Sequence, residues 1–162
     1  MKTKQLVLVS FLIALTIIGG HVKVFGSIAL DLAPSMVGTL LLNPVLGMFL
    51  AFSGHLISAL IAGFPLTLPV HLIISVMMSL TMFVYGKIRV HNTNKKTIII
   101  LSDIVAFVFN VFIAQLPLIP LLGLPILASL TPALALASIL NIITAELVYH
   151  AIPTTITKRV GI

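Results

Sequence analysis

The sequence predicts an all-α integral membrane protein of six transmembrane helices, with both termini in the cytoplasm. Sixty per cent of the 162 residues are hydrophobic and only 7% are charged, whereas a soluble domain carries about 25% charged residues. The apolar runs are separated by Gly, Pro or clusters of charge, and they lack the strict alternation of a membrane β-barrel. We therefore expect a single helical, membrane-embedded domain over residues 1–162.

The six predicted helices follow the apolar runs in order. The first follows two lysines and imitates a signal peptide, but no clean cleavage site comes after it, so we expect it to be retained. A single helix over 32–62 would reach roughly 46 Å, against a hydrocarbon core of about 30 Å. A break at Asn43–Pro44 is favoured, because the residue before a proline resists helix. The runs are 5–20, 32–43, 45–62, 70–87, 97–117 and 131–157.

The basic residues indicate the orientation. With six helices and an internal N-terminus, eight of the nine Lys and Arg residues face the cytoplasm and only Lys23 lies outside, as the positive-inside rule requires. Five helices would export the loop KIRVHNTNKK. The net charge of +6 is therefore a topology signal and not a nucleic-acid patch. The internal basic residues are Lys2, Lys4, Lys87, Arg89, Lys95, Lys96, Lys158 and Arg159.

The three outer connections, His21–Asp31, Gly63–Pro69 and Leu116–Leu130, are apolar and rich in Gly or Pro. We expect them to fold back into the bundle, which is tolerated only where protein or a cavity shelters the backbone. The second helix, about 12 residues long, spans roughly 18 Å and is too short to cross alone. Asp31, at its start, is therefore expected below the outer surface.

Asp31 is one of only three carboxylates in the chain, and two roles fit it. As an N-cap it would accept hydrogen bonds at the start of a helix whose first turn holds Pro34. As a ligand contact it would accept hydrogen bonds from substrate hydroxyls. A charge at the bilayer centre costs about 2.5–3.5 kcal/mol on insertion scales, and Ser or Thr would cap more cheaply. One carboxylate can serve both roles, so both stay open.

Other polar or aromatic residues are candidates for the same pocket. Phe64 offers a flat apolar face, and His71 lies at the outer start of the fourth helix; a turn with an interfacial histidine is the alternative. Asn110 and Asn141 are expected near mid-depth, and Gln115 nearer the outer face. For these amides the alternative is hydrogen bonding between helices.

The remaining polar residues give weaker signals. His55 is expected to be a core histidine with satisfied hydrogen bonds rather than a ligand. Glu146 and His150 share a helix face, but no third metal ligand is evident beside them. We therefore expect a structural or partner-facing role for these two residues and for Asp103. The chain has no cysteine, no GxxxxGK[ST] and no HExxH. We therefore predict no enzyme activity, no cofactor and no metal.

Residues 26–72, GSIALDLAPSMVGTLLLNPVLGMFLAFSGHLISALIAGFPLTLPVHL, resemble the substrate-binding membrane subunits (S components) of energy-coupling factor (ECF) vitamin transporters. The general layout is similar over nearly the whole chain. The closer likeness is to the branch assigned to α-ribazole, a cobalamin precursor with a benzimidazole on ribose. The resemblance implies that the outer loops and helices 4 to 6 close over a ligand, with contacts from Asp31, Phe64, His71, Asn110, Gln115 and Asn141.

The resemblance also implies partners: a transmembrane coupling subunit and two ATPase subunits that drive uptake. Family members have an AxxxA pattern in the first helix that contacts the coupling subunit. Here Ala14 matches the second position and Ser10, also small, stands at the first. The alternatives are an S component for another vitamin, an autonomous secondary transporter, and an intramembrane enzyme that uses Asp103, Glu146 and His150.

Overall fold

A computed structural model describes residues 3–25, 28–90 and 94–153 and has a helical architecture. The long helices are α1 (Thr3–His21), α3 (Pro44–Ile61), α4 (Leu68–Arg89), α5 (Lys96–Val111) and α7 (Leu124–Ala151). The short ones are α2 (Ala33–Leu41), a 3₁₀ segment (Ile113–Leu118) and α6 (Ile119–Leu122). A small antiparallel hairpin of β1 (Lys23–Phe25) and β2 (Ile28–Ala29) joins α1 to α2.

Among the described residues, five helical segments are long and apolar enough to cross a bilayer: α1, α3, α4, Lys96–Leu122 and α7. The second predicted span corresponds to α2, whose nine residues reach only about 14 Å. That length does not cross a hydrocarbon core of about 30 Å. Six spans and two cytoplasmic termini therefore stay predictions.

The third connection differs from the loop predicted over Leu116–Leu130. The 3₁₀ segment and α6 continue to Leu122, and Gly123, with a φ of 77°, turns the chain into α7. Pro125 lies in the first turn of α7, where the missing N–H of proline costs no hydrogen bond. The last helix therefore begins at Leu124 instead of 131, and it ends at Ala151; residues 154–157 of the predicted run lie outside the described residues.

Helix α2 is the centre of the bundle. Seven of its nine residues are buried, and it packs against α1, α3, α4 and α7. Of its buried hydroxyls, Thr39 Oγ1 donates to the Ser35 carbonyl oxygen at 2.8 Å, whereas Ser35 Oγ is buried without a partner. Met36, Leu50 and Met82 form the fully buried core around it. This packing places the N-terminus of α2, next to Asp31, inside the protein.

The outer faces of the long helices are apolar. Large side chains such as Phe11, Ile18, Leu60 and Leu147 are more than half exposed. A continuous apolar surface of this kind would promote association in water, whereas lipid chains contact it without an unfavourable hydration term. The exposed faces therefore suit contact with lipid.

Two glycines let the end of α1 approach its neighbours closely. A Cβ on Gly20 would lie 1.8 Å from Ser58 Oγ on α3, and one on Gly19 would lie 2.1 Å from the Leu30 carbonyl oxygen. Any side chain at either position would collide with these atoms. The close approach holds the segment that carries Asp31 against α1 and α3, since Leu30 also donates its N–H to the Gly19 carbonyl at 3.2 Å.

Candidate functional site

A cavity of about 120 Å³ lies where the segment before α2 meets α3, α4, α5 and α7. All three connections singled out in the sequence contribute to its wall, through residues that include Ala29, Leu66 and Leu118. Most of the wall is apolar, and the polar residues that line it come from different parts of the chain. They are Asp31, His55, His71, Asn110, Gln115, Ser138 and Asn141.

Asp31, His55 and His71 form a continuous hydrogen-bonded chain in this wall. Asp31 Oδ2 lies 2.6 Å from His55 Nδ1, and His55 Nε2 lies 3.2 Å from His71 Nδ1. Asp31 is 7% exposed and His71 is 4% exposed, and the buried His71 Nε2 has no hydrogen-bond partner. In the described part of the chain, no group of three His, Asp or Glu side chains is arranged to hold a metal ion.

Asp31 does not cap α2; Asn141 on α7 performs that role. Leu32 is the N-cap residue of α2 and the helix has no side-chain cap of its own. Instead, Asn141 Oδ1 accepts from the backbone N–H groups of Leu32 at 3.1 Å and Ala33 at 2.8 Å. The Asn141 amide also donates to the Ala137 carbonyl at 2.9 Å. This residue lines the cavity, but its hydrogen bonds fix the start of α2.

The other two predicted amides also line the cavity and bond across helices. Asn110 Nδ2 donates to Ser138 Oγ on α7 at 2.6 Å. Gln115 Nε2 donates to Thr131 Oγ1 on α7 at 3.1 Å and to the Val111 carbonyl. The interhelical role considered for these amides is therefore present, together with a position in the wall.

Phe64 is not in the wall, but it packs behind it. Its ring centroid lies 5.8 Å from that of His71, and the rings are tilted by 49°. Phe64 and Thr67 both have positive φ, 49° and 83°, which is rare for residues with a Cβ and most of all for a β-branched one. Such backbone persists only where the surroundings impose it. The second connection thus keeps a defined shape in which Phe64 packs against His71.

His55 is a further polar residue of the cavity wall. As expected, both of its ring nitrogens have hydrogen-bond partners, but the sequence analysis did not place it at the cavity, where it joins Asp31 to His71. The available signal was depth in the bundle: His55 lies six residues before the end of α3, and His71 lies three residues after the start of α4. At about 1.5 Å per residue, both histidines fall near the same end of an antiparallel helix pair.

The other two carboxylates belong to a separate cluster away from the cavity. Glu146 on α7 accepts hydrogen bonds from Tyr85 Oη and Arg89 Nη2, each at 3.0 Å. Asp103 on α5 interacts electrostatically with both Glu146 and Arg89. His150 Nδ1 bonds the Glu146 carbonyl oxygen at 2.9 Å. This arrangement ties α4, α5 and α7 together and does not line the cavity.

The two small residues predicted to contact a partner, Ser10 and Ala14, lie on an exposed face of α1. Phe11, between them in sequence, is 58% exposed, while Leu12 on the inner face is 3% exposed. The helix therefore presents its small-residue face outward. Gly19 and Gly20, in contrast, are used for packing within the bundle.

The comparison with protein families gives a match to the model described as "ECF transporter, substrate-specific component", over residues 4–161. Searches of curated proteins and of solved structures each found no match. The matched range includes every described helix apart from the first residue of α1, and the whole cavity wall. Members of this family are multi-pass membrane proteins that bind the substrate of an ECF transporter. Because the match covers nearly the whole chain, the protein belongs to the family of substrate-specific components of ECF transporters.

Proposed function

We propose that the cavity binds α-ribazole or a closely similar aryl riboside from outside the cell. Uptake then requires an ECF transmembrane coupling subunit and two ATPase subunits. The family supports a substrate-binding role, and the likeness of residues 26–72 supports this branch. The observation that carries the proposal is the cavity itself, in which a buried carboxylate and two histidines meet an otherwise apolar wall.

The chemistry of the wall suits an uncharged heteroaromatic compound with hydroxyl groups. Met78, Leu118 and Leu134 offer apolar contact for a ring, and Asp31 can accept hydrogen bonds from hydroxyls. No Lys or Arg is found among the described residues that line the cavity. A phosphorylated solute is disfavoured, because phosphate is bound through cations or several N–H groups.

The size of the cavity requires its wall to move for such a ligand. About 120 Å³ is close to the roughly 150 Å³ of an engineered cavity that holds benzene, so one ring fits the present shape. We place the movement in the 3₁₀ segment and α6, which carry Leu118 and Leu122. This part of the wall is interrupted by Pro117, Pro120 and Gly123, and so it is not a continuous helix.

The same volume favours a second candidate, a one-ring vitamin precursor that fits without movement. The two candidates differ in which compound remains with the chain when it is purified from cells. Mass spectrometry of the small molecule released from the purified protein distinguishes an aryl riboside from a one-ring compound.

Binding by the purified chain tests the site. In lipid nanodiscs, calorimetry with α-ribazole is expected to show saturable binding that Asp31→Ala weakens at least tenfold, because the buried acceptor and its bond to His55 are lost. Asp103→Ala is the matched control: it removes the other aspartate of the chain, which does not line the cavity.

An equal affinity of wild type and Asp31→Ala, with both proteins folded, would remove Asp31 from the site. Absence of α-ribazole binding, together with a co-purified one-ring compound, would replace the aryl riboside with the second candidate. An unaltered Asp103→Ala variant is required for either conclusion.

A further inference from the structure

We propose that the Asp31–His55–His71 chain fixes the tautomer of His71, so that its Nε2 accepts a hydrogen bond and selects guests carrying an O–H or N–H donor. The identity of the guest rests on the proposed function, but the tautomer of His71 can be measured in the protein without any ligand. It assigns to His55 a positioning role that acts through His71.

Which atom donates in each of the two hydrogen bonds follows from the carboxylate of Asp31, where the series begins. An ionised carboxylate only accepts hydrogen bonds, so the 2.6 Å contact of Asp31 Oδ2 requires a proton on His55 Nδ1. A neutral imidazole with a proton on one nitrogen has a lone pair on the other. His55 Nε2 is then an acceptor, and its 3.2 Å contact requires a proton on His71 Nδ1.

The last atom of the chain therefore carries a lone pair. With its proton on Nδ1, neutral His71 has an acceptor at Nε2, and this atom is buried without a partner. A buried polar atom left unpaired costs free energy, and a guest that donates to it removes that cost. Guests that present an acceptor to the same atom gain nothing and leave two lone pairs facing each other.

This direction of the hydrogen bonds applies to two neutral rings and an ionised Asp31. A histidine side chain is mostly neutral above about pH 7, so experiments at pH 8 address the state described. A second proton on His55 or a proton on Asp31 would reverse the direction of the hydrogen bonds, because an imidazolium donates from both nitrogens and a protonated carboxyl donates through its O–H.

The riboside of the proposed function has suitable groups. Its hydroxyls are donors of the kind that His71 Nε2 would accept once the wall moves to admit the guest to this buried atom, and its benzimidazole ring would contact the apolar wall. A guest with the same ring whose hydroxyls are methylated keeps the ring contacts and has no donor, but it also adds the bulk of the methyl groups. The change in the ratio of the two affinities between wild type and Asp31→Asn therefore measures the demand for a donor.

The tautomer is tested by nitrogen-15 NMR of histidine-labelled protein in nanodiscs at pH 8, with His71 and His55 assigned by His71→Gln and His55→Gln variants. We expect a protonated Nδ1 and an unprotonated Nε2 on both rings. A proton on Nε2 of His71, or an imidazolium at either position, would overturn the inference whatever the protein binds.

Asp31→Asn provides the second test, because an amide can either accept from His55 or donate to it. The fixed direction is lost, and His71 is expected to populate both tautomers. Asp103→Asn makes the same substitution at the aspartate outside the cavity, and we expect it to leave the His71 spectrum unchanged.

Binding completes the design. Wild type should bind α-ribazole at least tenfold more tightly than the ribose-methylated analogue, and Asp31→Asn should bring this ratio within threefold. A ratio near one in wild type, or an unchanged ratio in Asp31→Asn, would contradict the inference, since steric effects of methylation persist in the variant. If wild type binds neither compound, the proposed function fails and the NMR result alone decides the tautomer.

Discussion

At the scale of single residues, hydrogen bonds between distant parts of the chain define the site. Asn141 supplies the cap that α2 lacks in its own sequence, from a position 108 residues beyond Ala33. This leaves Asp31 available for His55. A local reading of Asp31 as a cap was reasonable, because Asp is a preferred N-cap residue, but tertiary structure gave the role to an amide.

Asn141→Ala is expected to reduce the free energy of unfolding by about 2–6 kcal/mol. Two buried N–H groups lose their acceptor, and each unsatisfied group costs about 1–3 kcal/mol. Asn43→Ala is the control, since Asn43 caps α3 at an exposed position and its loss costs about 0.5–2 kcal/mol. Unfolding of both variants in detergent micelles measures the difference. Similar losses of unfolding free energy would show that the cap by Asn141 stabilises the protein no more than the exposed cap by Asn43.

The Glu146 cluster gives a second prediction at this scale. Arg89 is 1% exposed, so Glu146→Leu leaves a buried cation without its carboxylate, at a cost of about 3–5 kcal/mol. The double variant Glu146→Leu with Arg89→Leu is expected to be more stable than the single variant, because the buried guanidinium is also removed and Asp103 is the only charged group of the cluster that remains. Thermal unfolding of wild type and the two variants provides the comparison. A double variant less stable than Glu146→Leu would contradict the prediction that an unpaired Arg89 causes the loss of stability.

At the scale of elements, α1 uses its two faces differently. Its inner face places Gly20 against Ser58 on α3, while its outer face exposes Ser10 and Ala14. Small exposed residues at this spacing allow another helix to approach closely. The two faces of this helix therefore differ: one packs within the bundle, and the other exposes the small residues that are predicted to contact a partner.

Ala14→Leu is expected to leave ligand binding within twofold of wild type and to abolish uptake driven by the coupling module. The larger side chain adds bulk to the exposed face without entering the bundle. Gly20→Ala is the matched comparison on the inner face: overpacking there costs about 1–3 kcal/mol, so folded yield falls first. Radiolabelled uptake in proteoliposomes containing the coupling module measures the effect, and normal uptake by Ala14→Leu would refute docking through this face.

At the scale of the whole molecule, the three connections between helices meet at one cavity. The segment before α2, the turn before α4 and the 3₁₀ segment with α6 all contribute to one cavity. The bundle holds a small, mostly apolar cavity with a few polar residues at the end where these segments meet. The Glu146 cluster joins α4, α5 and α7 at positions separate from it.

The orientation of the molecule is testable because the chain has no cysteine. Pro65→Cys and Lys96→Cys place single thiols at exposed positions, one in the second connection and one at the start of α5. Under the positive-inside rule a membrane-impermeant maleimide should label position 65 in intact cells, and position 96 only after the cells are opened. The reverse pattern would invert the topology and place the cavity on the cytoplasmic side.

Much of the fold could be predicted from the sequence, because hydrophobic runs and their breaks are local properties. The break at Asn43–Pro44 coincides with the gap between α2 and α3, since proline restricts its own neighbour. The start of α7 was predicted seven residues too late, at 131 instead of Leu124, because the stretch 116–130 was assigned to an outer connection. The structure places Pro125 in the first turn and accommodates Pro132 within the helix.

Composition and the order of the apolar runs were enough to predict a helical membrane protein with an acid near one helix start, because they set the solvent and the elements. The family also follows from the sequence, through residues that run the length of the chain. That His55 links Asp31 to His71 and that Asn141 caps α2 became evident only from the folded arrangement. Hydrogen bonds between elements depend on how helices are rotated and placed against each other, and no local pattern encodes that geometry.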